Sequence, residues 1–438
     1  MKAMMQSVSR RVREAVDLAV SPRESLDVRY RRFGPVSSAG FGPLRVVWLL
    51  GPEANRFVFA HSELFGWREA FDPLVVVDGE TALIVSDGAD HERRRRLVMP
   101  AFTRHAIDGY AEIIRSNVDA AIDTWQPGQV LNLYTEMRRV IRRSTIATLF
   151  GPRLAEEEPE LGRLLQHALA VVDRLAPWQQ LQRLGAPSWR RAVASRAEVA
   201  ARVQAEIERR RREPDADAYD VLARLMNSQD GDRSGLHDVE IVDQVISLIA
   251  AGYETTSAAA AWAMHALITD PQLARRVSAA AEDTGRSLTR PAEWRCVDGL
   301  VSEVLRLHPP AVLTARKVLE SFEFDGVQVP ARSTLLISPY LTHRLPELWP
   351  RPLQLDPDRW NPTAPDHRRP GPHEFLPFGG GSHRCIGAAF ATVELTVLLE
   401  CVARRVTLSP EPSDMTPVGL AAMRPRRGPF ARVVAVDR

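Results

Sequence analysis

A glycine-rich segment around Cys385 carries the strongest chemical signal in this sequence. Residues 379–381 are all glycine, and a helix is predicted just after Cys385, over residues 387–405. Glycine tolerates positive φ angles and lets a flat ligand approach the backbone closely. The N-terminal end of a helix stabilises negative charge through its dipole. The segment therefore predicts a cysteine thiolate that faces a planar ligand.

The other two cysteines, Cys296 and Cys401, lack such surroundings, and a lone cysteine is usually a small buried apolar residue. Three cysteines without a CxxC pair do not make a disulfide framework, which predicts a reducing, cytoplasmic compartment. A zinc site at Cys385 is disfavoured because it needs further Cys or His ligands, and His383 lies too near in sequence to be a good tetrahedral partner.

An acid and an alcohol stand next to each other in the long apolar stretch 245–268, as Glu254 and Thr255. A threonine hydroxyl that bonds back to a carbonyl one turn earlier opens a helix locally, and Gly252 is expected to let a ligand approach the backbone there. An acid and a hydroxyl within hydrogen-bond reach can relay protons. The alternative is a buried acid at a subunit contact, with threonine as filler.

Two further pairs sit at helical spacing. Glu303 and Arg306, at i and i+3, share one helix face, although such a pair alone is often a solvated salt bridge worth little. His91 and Arg95, at i and i+4, present two donors that suit a pair of carboxylates. For the arginine run 93–96, the alternative is a solvated or nucleic-acid-facing stripe.

The elements that must position these residues are mostly helical. Residues 43–61 predict a strand, a turn and the start of a helix, and residues 90–310 show apolar side chains at three and four spacing. Residues 245–268 predict a buried central helix, since Glu254 and His265 argue against a membrane span.

Strands are predicted late in the chain. A turn at Asp325 and Gly326 separates alternating apolar residues, and residues 334–340 are rich in β-formers. The proline-dense residues 346–377 predict an ordered meandering loop, and residues 406–436 predict a final hairpin.

Composition excludes several classes of protein. With 45% apolar and 26% charged residues, the 438-residue chain is neither disordered nor fibrous. A formal net charge of +2 predicts no nucleic-acid partner. Residues 1–20 lack the continuous apolar core of a signal peptide or anchor, so we expect a surface helix there and no membrane anchor.

Residues 378–387, FGGGSHRCIG, match the FxxGxxxCxG pattern of the haem-binding loop in the cytochrome P450 family. Residues 251–256 resemble the family's central-helix signature, and Glu303 with Arg306 resembles its ExxR pair. The resemblance implies a soluble, bacterial-type haem-thiolate protein. Its fold would be mainly α with a small β portion (α+β), a triangular helical body with minor β-sheets, in a single domain over residues 1–438 without a fused reductase.

The resemblance also assigns roles to residues. Cys385 would be the axial ligand of the iron in haem b, Glu254 and Thr255 the catalytic pair, and Glu303, Arg306 and Arg359 a structural triad. The expected haem-binding residues are His91, Arg95, Ala251, Arg316, Phe378, Gly379, His383, Cys385, Ile386 and Gly387. The expected substrate-pocket residues are Val76, Leu83, Leu248, Val312, Leu313 and Leu420, whose apolar side chains suit a lipophilic ligand.

The implied activity is that of a monooxygenase, which inserts one oxygen atom from O2 into a lipophilic small molecule by hydroxylation or epoxidation. Electrons would come from NAD(P)H through a ferredoxin or flavodoxin with its reductase, and the protein would act as a monomer. A basic docking face is expected on the cysteine side, formed by Arg93, Arg94, Arg384, Arg404 and Arg405.

Two alternatives remain open. A haem-thiolate peroxygenase or isomerase would share the cysteine loop, but it has little use for the Glu254 and Thr255 pair. A non-catalytic haem-binding protein would show no turnover even with a matched reductase.

Overall fold

The computed structural model describes residues 22–40, 42, 45–171, 182–214, 219–229, 235–280 and 294–437. The surface helix predicted for residues 1–20 lies outside the described residues. The described helices, in chain order, are α1 Pro22–Phe33, α2 Pro52–Ala60, α3 Arg68–Phe71, α4 Val75–Asp78, α5 Gly88–Val98, α6 Arg104–Ile122, α7 Leu133–Phe150, α8 Pro152–Glu156, α9 Glu158–Leu169, α10 Pro187–Arg212, α11 Val221–Met226, α12 Asp238–Thr269, α13 Pro271–Ala280, α14 Cys296–Leu307, α15 Pro339–Thr342 and α16 Ala388–Arg405.

The long helix α12 runs through the middle of the main core. A capping box of His237 and Glu240 begins it, and Pro271 lies just beyond its last residue. Its sides pack against α7, α10, α14 and α16, and its alanine-rich second half is almost entirely buried. The prediction of a buried central helix over residues 245–268 is confirmed.

Within the described residues, short strands form four small sheets beside this helical body. The strands are β1 Val36–Ala39, β2 Val46–Leu49, β3 Phe65–Gly66, β4 Val130–Asn132, β5 Thr314–Val318, β6 Phe322–Phe324, β7 Val327–Val329, β8 Thr334–Ile337, β9 Val406–Glu411, β10 Asp414–Val418, β11 Arg424–Arg427 and β12 Phe430–Val436. The largest sheet has the order β1-β2-β8-β5-β3, with β2 and β8 parallel and the other neighbours antiparallel. The predicted class, mainly α with a small β portion, is confirmed.

The turn at Asp325 and Gly326 joins β6 to β7, with both residues at positive φ, 52° and 71°. The meander contains only short 3-10 and turn structure, such as Pro357–Trp360, as its prolines predict. The predicted final hairpin is more complex. Strand β9 pairs with β12, and the hairpin of β10 and β11 is inserted between them.

One described segment, Gly381–Arg405, is long and apolar enough to span a membrane. Of its most apolar window, 61% is buried inside the protein. The helix in this segment, α16, packs against α6, α12, α13 and α14, which is the environment of a core helix.

Candidate active site around Cys385

The cysteine loop is closed by its own backbone. The N–H of Cys385 donates to the carbonyl of Phe378 at 2.9 Å, and the N–H of Gly379 donates to Leu376 O at 3.1 Å. Gly379 and Gly381 have φ angles of 67° and 68°, which strongly favour glycine. The glycines therefore fold the loop so that Cys385 lies just before the first turn of α16, as the sequence predicts.

The sulfur of Cys385 lies in a recess. Its residue is solvent-exposed, whereas Cys296 and Cys401 are buried. The surrounding protein nevertheless desolvates the thiol and raises its pKa, while the Gly387 N–H, Arg95 and Arg384 act in the opposite direction. A sulfur that is both accessible and closely surrounded faces a confined space, which suits a ligand atom. Phe378, Gly379, Ile386 and Gly387, on either side of Cys385, are only partly buried.

A second opening lies on α12, at Ala251. Within this otherwise buried helix Ala251 is exposed, and Thr255, one turn later, is partly exposed. The Thr255 hydroxyl donates to Ala251 O at 2.8 Å, the local back-bond that the sequence predicts. The helix that follows Cys385, α16, packs directly on α12, the helix that carries Ala251.

Gly252 is directed toward α7. A Cβ at this position would lie 3.7 Å from the Thr145 methyl group of α7. The Cα of Gly252 therefore faces a neighbouring helix at ordinary van der Waals distance, and the approach of a ligand to its backbone stays a prediction.

Glu254 is held by α7. Its Oε2 accepts a hydrogen bond from the Tyr134 hydroxyl at 3.1 Å, and its Oε1 forms an ion pair with Arg138. The Glu254 and Arg138 side chains are 22% and 21% exposed. The alternative of an acid at a subunit contact finds no support here, because these partners belong to the same chain.

The predicted triad assembles around a fully buried acid. The Glu303 carboxylate accepts two hydrogen bonds from the Arg306 guanidinium, at 2.8 and 2.9 Å, and one from Arg359 at 3.3 Å. Both Glu303 and Arg306 have 0% exposed side chains, so the alternative of a solvated salt bridge is wrong. Trp360 Nε1 and the Asp356 N–H also donate to Glu303, which fastens the meander to α14.

His343 connects this triad to the cysteine loop. Arg306 donates to His343 O at 2.8 Å, and the His343 ring Nε2 accepts from the Leu376 N–H at 2.7 Å. Burial, with Arg344 and Arg306 adding to it, lowers the pKa of His343 to about 3. The neutral ring is thus a stable bridge to Leu376, whose carbonyl anchors Gly379. A lone histidine carries no sequence signal for this role.

Four predicted donors gather near Cys385. The His383 ring lies 4.0 Å from that of His91, and Arg95 donates to Arg384 O at 2.8 Å. Arg316 lies 4.0 Å from the Trp67 ring, which stacks on His383 at 4.2 Å.

Trp67 and Asp87 were missed by the sequence reasoning. Asp87 contacts His383 at 3.4 Å and accepts from the backbone of Trp67 and Arg68.

This cluster of donors needs anions. Desolvation lowers the pKa of Arg316 to about 9, with Asp87 opposing the shift, and lowers the pKa of His91 to about 4. The buried Arg316 guanidinium gains from a nearby carboxylate, and a neutral His91 ring can donate a hydrogen bond to one. An accessible sulfur beside a donor cluster therefore fits a haem, with Cys385 toward the iron and His91, Arg95, Arg316 and His383 toward the propionates.

The expected substrate-pocket residues fall into two groups. Val76, Leu248, Leu313 and Leu420 are partly buried, and Leu83 is 9% exposed. Val312 differs, because it is fully buried in a cluster that includes Trp48 and Tyr340. Val312 thus has no surface left for a ligand, and its expected contact is corrected to a packing role.

The expected basic docking face is wrong in part. Arg93 and Arg94 both pair with Glu240, and Arg405 pairs with Asp119 and Asp123. Arg94 also lies 3.7 Å from Asp90, so acids of the same chain offset the charges of these three arginines. Arg384 and Arg404 remain exposed.

A groove of about 910 Å³ lies beside the cysteine loop. Two arginines, Arg369 and Arg384, line it together with His367, His373 and the ring of Trp360. The sequence reasoning missed Arg369, because no local pattern in the meander indicates that it lines the same groove as the cysteine loop.

Comparison with known proteins adds to this geometry. The family model described as "Cytochrome P450" matches residues 17–426. "Putative cytochrome P450 139" of Mycobacterium tuberculosis (strain ATCC 25618 / H37Rv) is 45% identical, covering 92% of this chain and 96% of the relative. "Cyclooctatin synthase" of Streptomyces melanosporofaciens is 36% identical, covering 86% and 84%. The solved structure "Retinoic acid bound cyanobacterial CYP120A1" has a TM-score of 0.84 at 22% identity, covering 97% and 96%, and so shows the shared fold.

Proposed function

Because this chain belongs to the cytochrome P450 family, we propose that it inserts one oxygen atom from O2 into a lipophilic small molecule, by hydroxylation or epoxidation. The family makes it a haem-thiolate monooxygenase. The observation that carries the proposal is the accessible sulfur of Cys385, in a chain whose other cysteines are buried.

A bound haem b would supply an iron that activates dioxygen and accepts electrons one at a time. Cys385 would hold it as a thiolate, which the Gly387 N–H and the start of α16 stabilise. His91, Arg95, Arg316 and His383 would bind its carboxylates. Ala251, an exposed position of α12, would leave room for the group beside this helix.

Protons would pass through Thr255 and Glu254. The Thr255 hydroxyl donates to Ala251 O, so its oxygen can accept a hydrogen bond from a neighbouring donor. To relay a proton, the hydroxyl would leave Ala251 O and pass its own hydrogen on as it takes another. Glu254 is anchored by Tyr134 and Arg138 on α7. It can carry a proton toward Thr255 only when its contact with Arg138 opens, so Arg138 would control this step.

The proposed substrate is lipophilic. Partly buried apolar side chains at Val76, Leu248, Leu313 and Leu420 support this. A relative from Streptomyces melanosporofaciens, 32% identical, is named "Cyclooctat-9-en-7-ol 5-monooxygenase", a name that gives an unsaturated alcohol as its substrate. A substrate of similar lipophilic character suits this chain.

The proposed electron donor is a separate protein, a ferredoxin or flavodoxin with its NAD(P)H-dependent reductase. The groove beside the cysteine loop supports such a donor, because Arg369 and Arg384 would attract an acidic carrier. We further propose that the protein works in the cytoplasm as a monomer of one domain. Size-exclusion chromatography and cell fractionation test this part.

The carbon monoxide difference spectrum of the reduced protein tests the thiolate. A strongly red-shifted Soret band is expected, and a histidine-like band would contradict the proposal. Consumption of NAD(P)H and O2 with a ferredoxin and its reductase then separates the alternatives. A peroxygenase would work with hydrogen peroxide alone, and a non-catalytic haem-binding protein would show no turnover with either. Lipophilic compounds that shift the haem spin state identify substrates.

A further inference from the structure

A buried polar cluster ties three elements together at the N-terminal half of α12. We call it the Asp243 cluster, and its members are buried or partly buried and joined by mutual polar contacts. They are Asp78, Thr81, Arg196, Asp243, Gln244 and Ser247. The three residues from α12, Asp243, Gln244 and Ser247, are only 3%, 1% and 5% exposed. Polar groups are buried this deeply only when their partners are well placed.

Asp243 and Gln244 bind the backbone of the segment that follows α4. Asp243 Oδ2 accepts from the Thr81 N–H at 3.0 Å and from the Thr81 hydroxyl at 2.7 Å. Gln244 accepts from the Leu83 N–H at 2.8 Å and donates to Thr81 O at 2.6 Å. The segment is therefore held to α12 at two successive points.

Arg196 extends the cluster to α10. Its guanidinium pairs with Asp243 Oδ1, on the carboxylate whose other oxygen binds Thr81. Gly79, at a φ of 92°, lies so close that a Cβ there would collide with the Asp243 carboxylate and with Arg196. One carboxylate thus joins α12, α10 and the 79–83 segment.

The cluster lies on the same face of α12 as the candidate site. Gln244, Ala251 and Thr255 follow each other at intervals of seven and four residues, which places them on one helix face. Ala251 is the open position of that face. Residues 75–84, which cover its N-terminal part, include Val76 and Leu83 of the proposed substrate pocket. Movement of this segment would therefore open the pocket.

Asp78, at the end of α4, makes the cluster sensitive to ionisation. It is 4% exposed and hydrogen-bonded to Ser247. The charged groups that act on it are Arg196 of α10 and Asp243 of α12, while Ala168 and Leu169 of α9 pack on the apolar side of α4. When Asp78 ionises, its carboxylate and that of Asp243 repel each other and share the single guanidinium of Arg196 inside the protein.

We propose that the Asp243 cluster is a latch that holds residues 75–84 against α12 and α10, closed over the substrate pocket, and that ionisation of Asp78 loosens it. The latch itself is a property of these side chains. Only its effect on substrate entry rests on the proposed function.

The direction of the pH effect follows from burial. Desolvation raises the pKa of Asp78 in the closed form from 3.8 to about 7. In an open form the solvated carboxyl would have its ordinary pKa, so the closed form loses stability as pH rises from about 4 to about 7. Above that range both forms are ionised and the effect levels off. This linkage predicts that opening becomes about tenfold more favourable between pH 6 and pH 8.

Hydrogen–deuterium exchange of the holoenzyme tests the latch directly, because the Thr81 and Leu83 amide N–H groups donate two of the hydrogen bonds that form it. After correction for intrinsic exchange chemistry, opening at these amides should be about tenfold more frequent at pH 8 than at pH 6. Asp78→Asn should remove this dependence and keep both amides protected at pH 8. Glu80→Gln, which removes an exposed carboxylate from the same segment, should behave like the parent protein. An unchanged pH dependence in Asp78→Asn would overturn the proposal.

Asp243→Asn supplies a second test that does not depend on pH. Faster exchange at Thr81 and Leu83, and severalfold faster association of 4-phenylimidazole followed by the Soret shift, are expected, with carbon monoxide binding unchanged. Unaltered exchange in Asp243→Asn would also refute the latch. Failure of the monooxygenase proposal would appear separately, as loss of the thiolate-type carbon monoxide band in the parent protein.

Discussion

Glu303 and Arg306 form a two-point ion pair, at 2.8 and 2.9 Å, from which water is completely excluded. Arg306 uses its remaining donors on the carbonyls of His343, Pro352 and Gln354. The pair therefore does more than join two side chains on α14. It fixes the meander and, through His343, the backbone of the cysteine loop.

Removal of one member of this pair should be strongly destabilising, because it leaves a buried charge without its partner. Arg306→Leu is expected to cost about 3 to 5 kcal/mol of unfolding free energy. Arg359→Leu should cost less, about 1.5 to 3 kcal/mol, because the Glu303 and Arg306 pair remains. Denaturant unfolding measures both variants, and an equal or larger loss in Arg359→Leu would contradict the assignment of Arg306 as the principal partner.

Cys385→Ser should abolish the red-shifted carbon monoxide band and the turnover, since serine supplies no thiolate to an iron. Cys296→Ala, at a buried cysteine of α14, should keep the band with a modest loss of stability. Optical spectra of the reduced, carbon monoxide-treated proteins make the comparison. Turnover in Cys385→Ser would refute the role given to this sulfur.

Thr255→Val should leave folding intact and uncouple electron consumption from product formation, because the hydroxyl that would accept a proton is lost. Thr269 provides a matched control, since its hydroxyl makes the same back-bond on the same helix, to His265 O at 2.7 Å. The ratio of product to NAD(P)H consumed should fall severalfold in Thr255→Val and stay unchanged in Thr269→Val. Equal coupling in the two variants would remove Thr255 from the proton path.

Acid should destabilise the protein through His343. Burial lowers the pKa of this histidine to about 3, whereas in the unfolded chain it titrates near 6.5. The unfolded state therefore binds a proton that the folded state excludes, and stability falls by about 1.4 kcal/mol per pH unit as pH drops below about 6.5. His343→Phe should be less stable at pH 7 but less sensitive to acid. His61→Phe, at an exposed position, is the control and should keep the parent dependence of unfolding free energy on pH. The same dependence in His343→Phe would contradict the role of His343 as a buried, neutral bridge.

Reduction by an acidic carrier should depend on the groove. Arg369→Glu and Arg384→Glu are each expected to slow first-electron transfer severalfold at low salt, because they replace attraction by repulsion. Arg191→Glu, on the exposed surface of α10, serves as the charge-matched control. Stopped-flow reduction at several ionic strengths measures the effect, and rates that match the control would exclude this groove as the docking site.

Local patterns in the sequence were enough to predict much of this protein. The glycines and Cys385 act through backbone geometry within one loop, and Glu303 with Arg306 shares a helix face by spacing alone. The long apolar run predicted α12, and proline density predicted the meander. These predictions succeeded because the physical cause, a φ preference or a helical period, operates between residues that are close in the chain.

Packing between distant elements decided the rest. The spacing around Gly252 could not show that its open side faces Thr145, nor could composition show that Arg93 and Arg94 meet Glu240 or that Val312 lies in a closed core. Asp243 and Thr81 are hydrogen-bonded although they are 162 residues apart. Sequence spacing determines which side chains share a face, but which surface that face meets depends on how the elements fill space together, and no local pattern encodes that.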